Sequence, residues 1–116
     1  MNHLELLERK SRLWHIEQAA SKIVSFTAEK TPEDYASDDM LRDAVEMQLI
    51  RIGEALPRAL KVHPELARYM SDTSQIVSLR DQLMDDPQTD ATRVWGVIKT
   101  DVPVLLREVR TLLATS

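Results

Sequence analysis

The stretch from Asp38 to Lys61, DDMLRDAVEMQLIRIGEALPRALK, carries the longest unbroken apolar stripe in the chain, and the other segments have to cover it. Leu41, Ala44, Val45, Leu49, Ile52, Leu56, Ala59 and Leu60 recur at steps of three and four, the spacing of one face of an α-helix. Met40, Met47 and Ile50 add a flanking stripe, so more than one side of this helix leaves water. The pattern predicts the central helix of a bundle. Gly53 sits inside the stripe, where it costs about 1 kcal/mol relative to Ala. A glycine there is expected to let another backbone approach closely. Pro57 clashes with the carbonyl of Gly53, which predicts a bend rather than a stop.

The flanking segments read as helices that pack on this one. Asn2 followed by Glu5 has capping-box spacing, and Leu6, Leu13, Ile16, Ala20, Ile23 and Val24 then run down one face to about Ala28. Trp14 and His15 lie beside that stripe and read as an edge-of-core aromatic and a solvent-facing imidazole. Thr31-Pro32-Glu33 marks a helix end or a short loop, and Asp38 suits the N-terminus of the central helix. Pro64 to Met70 predicts a short helical turn with Leu66 and Tyr69 tucked inward. Asp72 and Gln75 repeat the capping-box spacing before a helix whose Ile76, Leu79 and Leu83 face the core, with Arg80 at its edge. Asp85 to Asp90 reads as a polar loop. Val94, Ile98, Val102, Leu105, Leu106, Val109, Leu112 and Leu113 predict a last long helix with a possible break near Thr100 to Pro103.

Four main helices and a short one follow, in an all-α bundle; two glycines leave no turn chemistry for a sheet. Residues 1–116 suffice for one core and are expected to form a single domain. Only 4% of the residues are aromatic, so Leu, Val, Ile, Ala and Met must fill that core. The net charge of −4 gives no global attraction to nucleic acid, and any RNA contact has to come from a local basic patch. Without cysteine there is no disulfide or thiolate metal site, which fits a reducing cytoplasm. No run reaches the ~20 apolar residues of a membrane span, and no signal-peptide core is expected.

Tyr35 to Leu56, with Asp38 and Asp39 ahead of the stripe and Ile52-Gly53-Glu54-Ala55 inside it, resembles the second helix of HepT-type HEPN-domain proteins. The resemblance continues through Arg80-Asp81-Gln82-Leu83, Val94-Trp95 and Asp101-Val102-Pro103 with Leu105. It implies a dimeric HEPN-type bundle acting as the RNase toxin beside a minimal nucleotidyltransferase antitoxin. Cleavage in such proteins is metal-independent and occurs at the dimer seam; no cofactor is implied. Their motif is an Arg, four spacers and a His, often with a Tyr two positions on, and the Tyr is the site where the antitoxin attaches AMP. Arg80 matches the first position, where a guanidinium would hold the scissile phosphate. Asp85 stands at the His position and Pro87 at the Tyr position, while Asp81 replaces the usual Asn.

That substitution has chemical weight. A His can move the proton of a ribose hydroxyl near neutral pH, whereas a carboxylate is an anion with almost no acid form to donate. The loop between Arg80 and Trp95 is also short for the family. Two classes of function remain open from sequence: an RNase toxin weakened or inactive at Asp85, and a non-catalytic interaction protein that binds the nucleotidyltransferase. The cluster Asp81, Asp85 and Asp86 invites Mg²⁺ but reads as a solvated acidic loop, so no metal ligand is assigned. Arg80 itself has a structural alternative, a salt bridge to Glu54 or a neighbouring Asp.

Overall fold

The computed structural model describes residues 1–86 and 88–115. Five α-helices and one 3-10 turn follow in order: α1 (His3–Thr27), α2 (Pro32–Ser37), α3 (Asp39–Val62), the turn Pro64–Arg68, α4 (Ser74–Asp85) and α5 (Ala91–Thr115). Among the described residues there is no strand, and no helix is long and apolar enough to cross a membrane. α3 packs against α1 on one side and α4 on the other, while α5 lies along α1 and also meets α2 and α4.

The stripe of α3 is buried as its spacing requires: Val45, Leu49, Ile52, Leu56 and Ala59 are fully inaccessible. Leu13, Ile16 and Ile23 of α1, Leu79 of α4 and Val102 and Val109 of α5 close around them, all at 0% exposure. Burying each large aliphatic side chain is worth roughly 1.5–3 kcal/mol, so this layer supplies most of the drive to fold. The second stripe divides: Ile50 packs against the core, but Met40 and Met47 remain 83% and 49% exposed.

Helix starts depart from the sequence reading in detail. Asn2 Oδ1 accepts from the Glu5 N–H at 2.8 Å, but Glu5 returns its carboxylate to the Asn2 side chain, which makes half a capping box. The complete box lies where a loop was expected: Thr31 Oγ1 accepts from the Asp34 N–H and Asp34 accepts from the Thr31 N–H. With Pro32 preset for a first helical turn, these bonds create the short helix α2. Asp38 caps α3 as expected, accepting from the Leu41 N–H. At α4 the expected box is absent; Thr73 is the capping position without a side-chain bond, and Asp72 accepts from the Ser74 N–H instead.

Three other expectations are corrected. α5 runs unbroken through Pro103; the carbonyl that a proline cannot bond belongs to Lys99, an exposed position where water can satisfy it. Val24 lies at the rim of α1 and is 36% exposed rather than core. Tyr69, expected to turn inward, is 58% exposed, and Leu66 alone anchors the 3-10 turn. Tyr69 is the residue that caps the turn, with φ −112° and ψ 2°, so the three-residue repeat that would stack it over Leu66 has already ended.

Tyr35 is the largest fully buried side chain and holds α2 down. Its ring meets Trp95 of α5 at 5.8 Å between centroids, and Lys99 lies 4.8 Å over the indole while donating to the Thr27 carbonyl at 3.1 Å. The Tyr35 hydroxyl finds no partner among the described residues. Burial, and then the nearby Glu46 carboxylate, push that phenol above its ordinary range. An orphaned buried hydroxyl costs about 1–3 kcal/mol, and replacing it by hydrogen removes the penalty. Tyr35→Phe is therefore expected to leave stability unchanged or raise it by about 1 kcal/mol in urea unfolding; a loss above that size would show that the hydroxyl has a partner.

Candidate functional site

Arg80 lies in the second half of α4, on the side turned to α3. Its seat is made by Gly53: a Cβ built there would fall 2.3 Å from Arg80 Cβ and 2.6 Å from Cγ. No real side chain tolerates such distances, so the absence of a side chain at 53 lets α4 pass over α3 at this point. The close approach expected of another backbone is made instead by a side-chain stem, that of Arg80.

Beyond that seat the guanidinium is held at both ends. Nη2 donates to Glu54 Oε1 and Nη1 to Asp81 Oδ1, each at 3.1 Å. The Glu54 hydrogen bond, followed by that of Asp81, raises the pKa of Arg80 above its ordinary value, so the group is a permanent cation. Nε is buried and has no acceptor among the described residues. Both carboxylates reach solvent, with side-chain exposures of 48% for Glu54 and 64% for Asp81. An incoming phosphate would thus compete with two mobile, hydrated acids rather than with a fixed buried pair.

Asp85 is the last residue of α4 and not, as expected, the first of a loop. Five residues of helix place its Cα about 7.5 Å farther along the axis and roughly 140° around from Arg80. The two side chains therefore leave α4 in different directions, and no hydrogen bond or ion pair joins Asp85 to Arg80. Asp86 then closes the helix, donating its N–H to the Gln82 carbonyl at 2.8 Å and accepting from Thr89 Oγ1 at 2.7 Å. Pro87, at the expected Tyr position, lies outside the described residues. Asp85 and Asp86 crowd the negative end of the α4 dipole, an arrangement that local stability does not favour.

Of the three residues singled out in the sequence, Arg80 and Asp81 are brought into contact and Asp85 is not. The histidines do not fill the gap: His15 meets Trp14 edge-on, and His63 is buried 3.7 Å from Glu8 Oε1, outside hydrogen-bond range. Among the described residues no three His, Asp or Glu side chains converge as a metal site would require.

The family model described as "Ribonuclease HepT-like" matches residues 16–112, which take in all of α2, α3 and α4. The chain belongs to the HepT-like ribonuclease family. No solved structure matches it. Within this HepT-like chain, the helix that carries Arg80 is intact and closely seated, while its final residue is an aspartate. The signal for Glu54 as the partner of Arg80 was its place beside the one glycine of the central stripe. Nothing in the sequence pointed to the buried, unpaired Nε.

The two glycines should respond to substitution with opposite signs. Gly53→Ala forces its Cβ into the Arg80 stem, and overpacking of this kind costs about 1–3 kcal/mol. Gly96 lies exposed in α5 with nothing within 4 Å of a built Cβ, so Gly96→Ala should gain up to about 1 kcal/mol of helix propensity. Urea midpoints of the two variants against the parent chain measure both.

Proposed function

We propose that this chain is the RNase-type partner of a toxin-antitoxin pair, with its cleavage of RNA weakened or lost because Asp85 ends α4 where a proton-transferring His is needed. That one observation carries the reading. Arg80 supports it: a guanidinium seated by Gly53, with two solvent-exposed carboxylates to displace, can bind a phosphate and stabilise charge developing on it. What is missing is the group that moves a proton near neutral pH, a contribution typically worth 10² to 10⁴ in rate. The chemistry assigned to Arg80 needs no metal ion.

A second reading, a non-catalytic HEPN protein that binds a minimal nucleotidyltransferase antitoxin in the cytoplasm, is favoured by one specific fact. Both terminal nitrogens of Arg80 are already engaged, so the residue has a structural role without any substrate. RNA cleavage by the purified chain separates the two. The parent chain should cut at close to background rate, with or without EDTA, and Asp85→His should recover part of the lost activity. Full recovery is not expected, since positioning errors near 1 Å cost about a hundredfold. Robust cleavage by the parent chain that vanishes in Arg80→Ala would show that Asp85 suffices, and cleavage that vanishes with EDTA would make the acidic residues a Mg²⁺ site.

The proposal includes a homodimer. Met40 and Met47, exposed one above the other on α3, lie on the ridge that also carries Glu54, so a two-fold pairing over this ridge would bring two copies of Arg80 toward one seam. Sedimentation at micromolar concentration should give twice the 13.3 kDa chain mass, and Met47→Asp should shift it toward the monomer.

A further inference from the structure

We propose that the groove between α1 and α3 is a nucleotide subsite, holding one base of a single-stranded RNA between Trp14 and Gln48 with its flanking phosphates on Lys22 and Arg51. The inference rests on the reading above that RNA is the ligand of this chain, and it adds a place for the strand away from Arg80.

The groove has a volume of about 430 Å³ and is lined by Trp14, His15, Lys22, Gln48 and Arg51 together with small and polar neighbours. That size lies within the range of small-ligand sites. Its lining contains two cations and no Asp or Glu, in a chain whose net charge is −4. Among the described residues neither Lys22 nor Arg51 has a carboxylate within salt-bridge distance. Two acids that flank the lining residues in sequence are engaged elsewhere: Glu17 faces Arg110 and Gln18, and Glu54 is held by Arg80.

Two further features point to a base rather than to a bare anion. Trp14 is 50% exposed, braced by the ring of His15 at 5.1 Å and 74°, so a large aromatic surface is kept in water at the groove wall. Stacking on such surfaces is how proteins hold unpaired bases without regard to sequence. Gln48 also lines the groove; the residue is only 8% exposed, and its side-chain amide makes no hydrogen bond to any described residue yet keeps access to the groove. A buried amide that offers both a donor and an acceptor suits the edge of a base. Arg51 is three residues before Glu54 on the same helix, so a strand leaving the groove along α3 passes toward Arg80.

The test uses the full chain and a fluorescein-labelled oligouridine twelve-mer, read by anisotropy over a range of salt and by tryptophan emission. RNA should quench the emission, and the quench should disappear in Trp14→Phe, where Trp95 alone remains. Trp14→Ala should weaken binding by about tenfold, the usual worth of one stacked base. Lys22→Ala and Arg51→Ala are exposed changes that leave the core intact, and each should lower the slope of log affinity against log salt by about 0.7. Arg80→Ala should retain the quench. If the twelve-mer binds the groove variants as it binds the parent, the groove is refuted while the Arg80 reading stands. Loss of binding in the groove variants, with neither binding nor cleavage sensitive to Arg80, upholds the groove and counts against the Arg80 reading. The proposal is also overturned by any of three results: no RNA binding at all; AMP alone quenching as well as the twelve-mer at equal nucleotide concentration; or Trp14→Ala and Arg51→Ala converting an RNA-free dimer to monomer, since a second copy would then fill the groove.

Discussion

The bundle and its candidate site both depend on the close crossing of α3 and α4 at Gly53. Helices usually pack with their axes 8–10 Å apart, a spacing set by the side chains between them. Removing the side chain at one position lets an arginine stem lie directly on the backbone of the central helix. Its guanidinium then reaches the rim of the bundle beside Glu54, with its stem and Nε buried and its terminal nitrogens on two exposed carboxylates. A lysine would lack the planar fork that meets Glu54 and Asp81 at once. The same contact thus serves packing and places a cation where a phosphate could reach it.

Much of this was legible from residue spacing because the determinants are periodic. The α3 stripe, the core faces of α1, α4 and α5, and the meaning of Gly53 follow from which residues recur every third or fourth place. Local chemistry was harder. α2 exists because Thr31 and Asp34 bond reciprocally, a pattern with Asp in place of the usual Glu or Gln, and α5 survives Pro103 because buried neighbours on both sides outweigh one lost bond. The site divides along the same line. Arg80 and Asp81 were visible as neighbours, and Glu54 as a possible partner. Where α4 ends, and hence which way Asp85 leaves it, depended on a single residue that composition favoured as loop. Gln48 was a signal overlooked: an amide in the middle of Val45, Leu49 and Ile52 has to be buried or to border a groove.

Net charge misleads about this surface. At −4 the chain as a whole repels a polyanion, but its acids are unevenly placed, with Asp38, Asp39, Asp43 and Glu46 gathered at the start of α3 and Asp85, Asp86 and Asp90 around the end of α4. The α1–α3 groove lies clear of both groups along its lining. Within a Debye length of about 8 Å at physiological salt, such local imbalance matters more than the total.

α4 has local bonds at both ends, from the Ser74 N–H to Asp72 and from the Asp86 N–H to the Gln82 carbonyl, but rests chiefly on packing. Thr73 gives it no side-chain cap, and its last residues oppose the helix dipole, so its cohesion comes from Ile76, Leu79 and Leu83 pressed into the core. Arg80 therefore rides on a helix whose place is set mainly by what lies beneath it. Any shift of α4 off α3 lifts Arg80 from Gly53 and parts it from Glu54 in one movement, because both contacts lie across that single crossing.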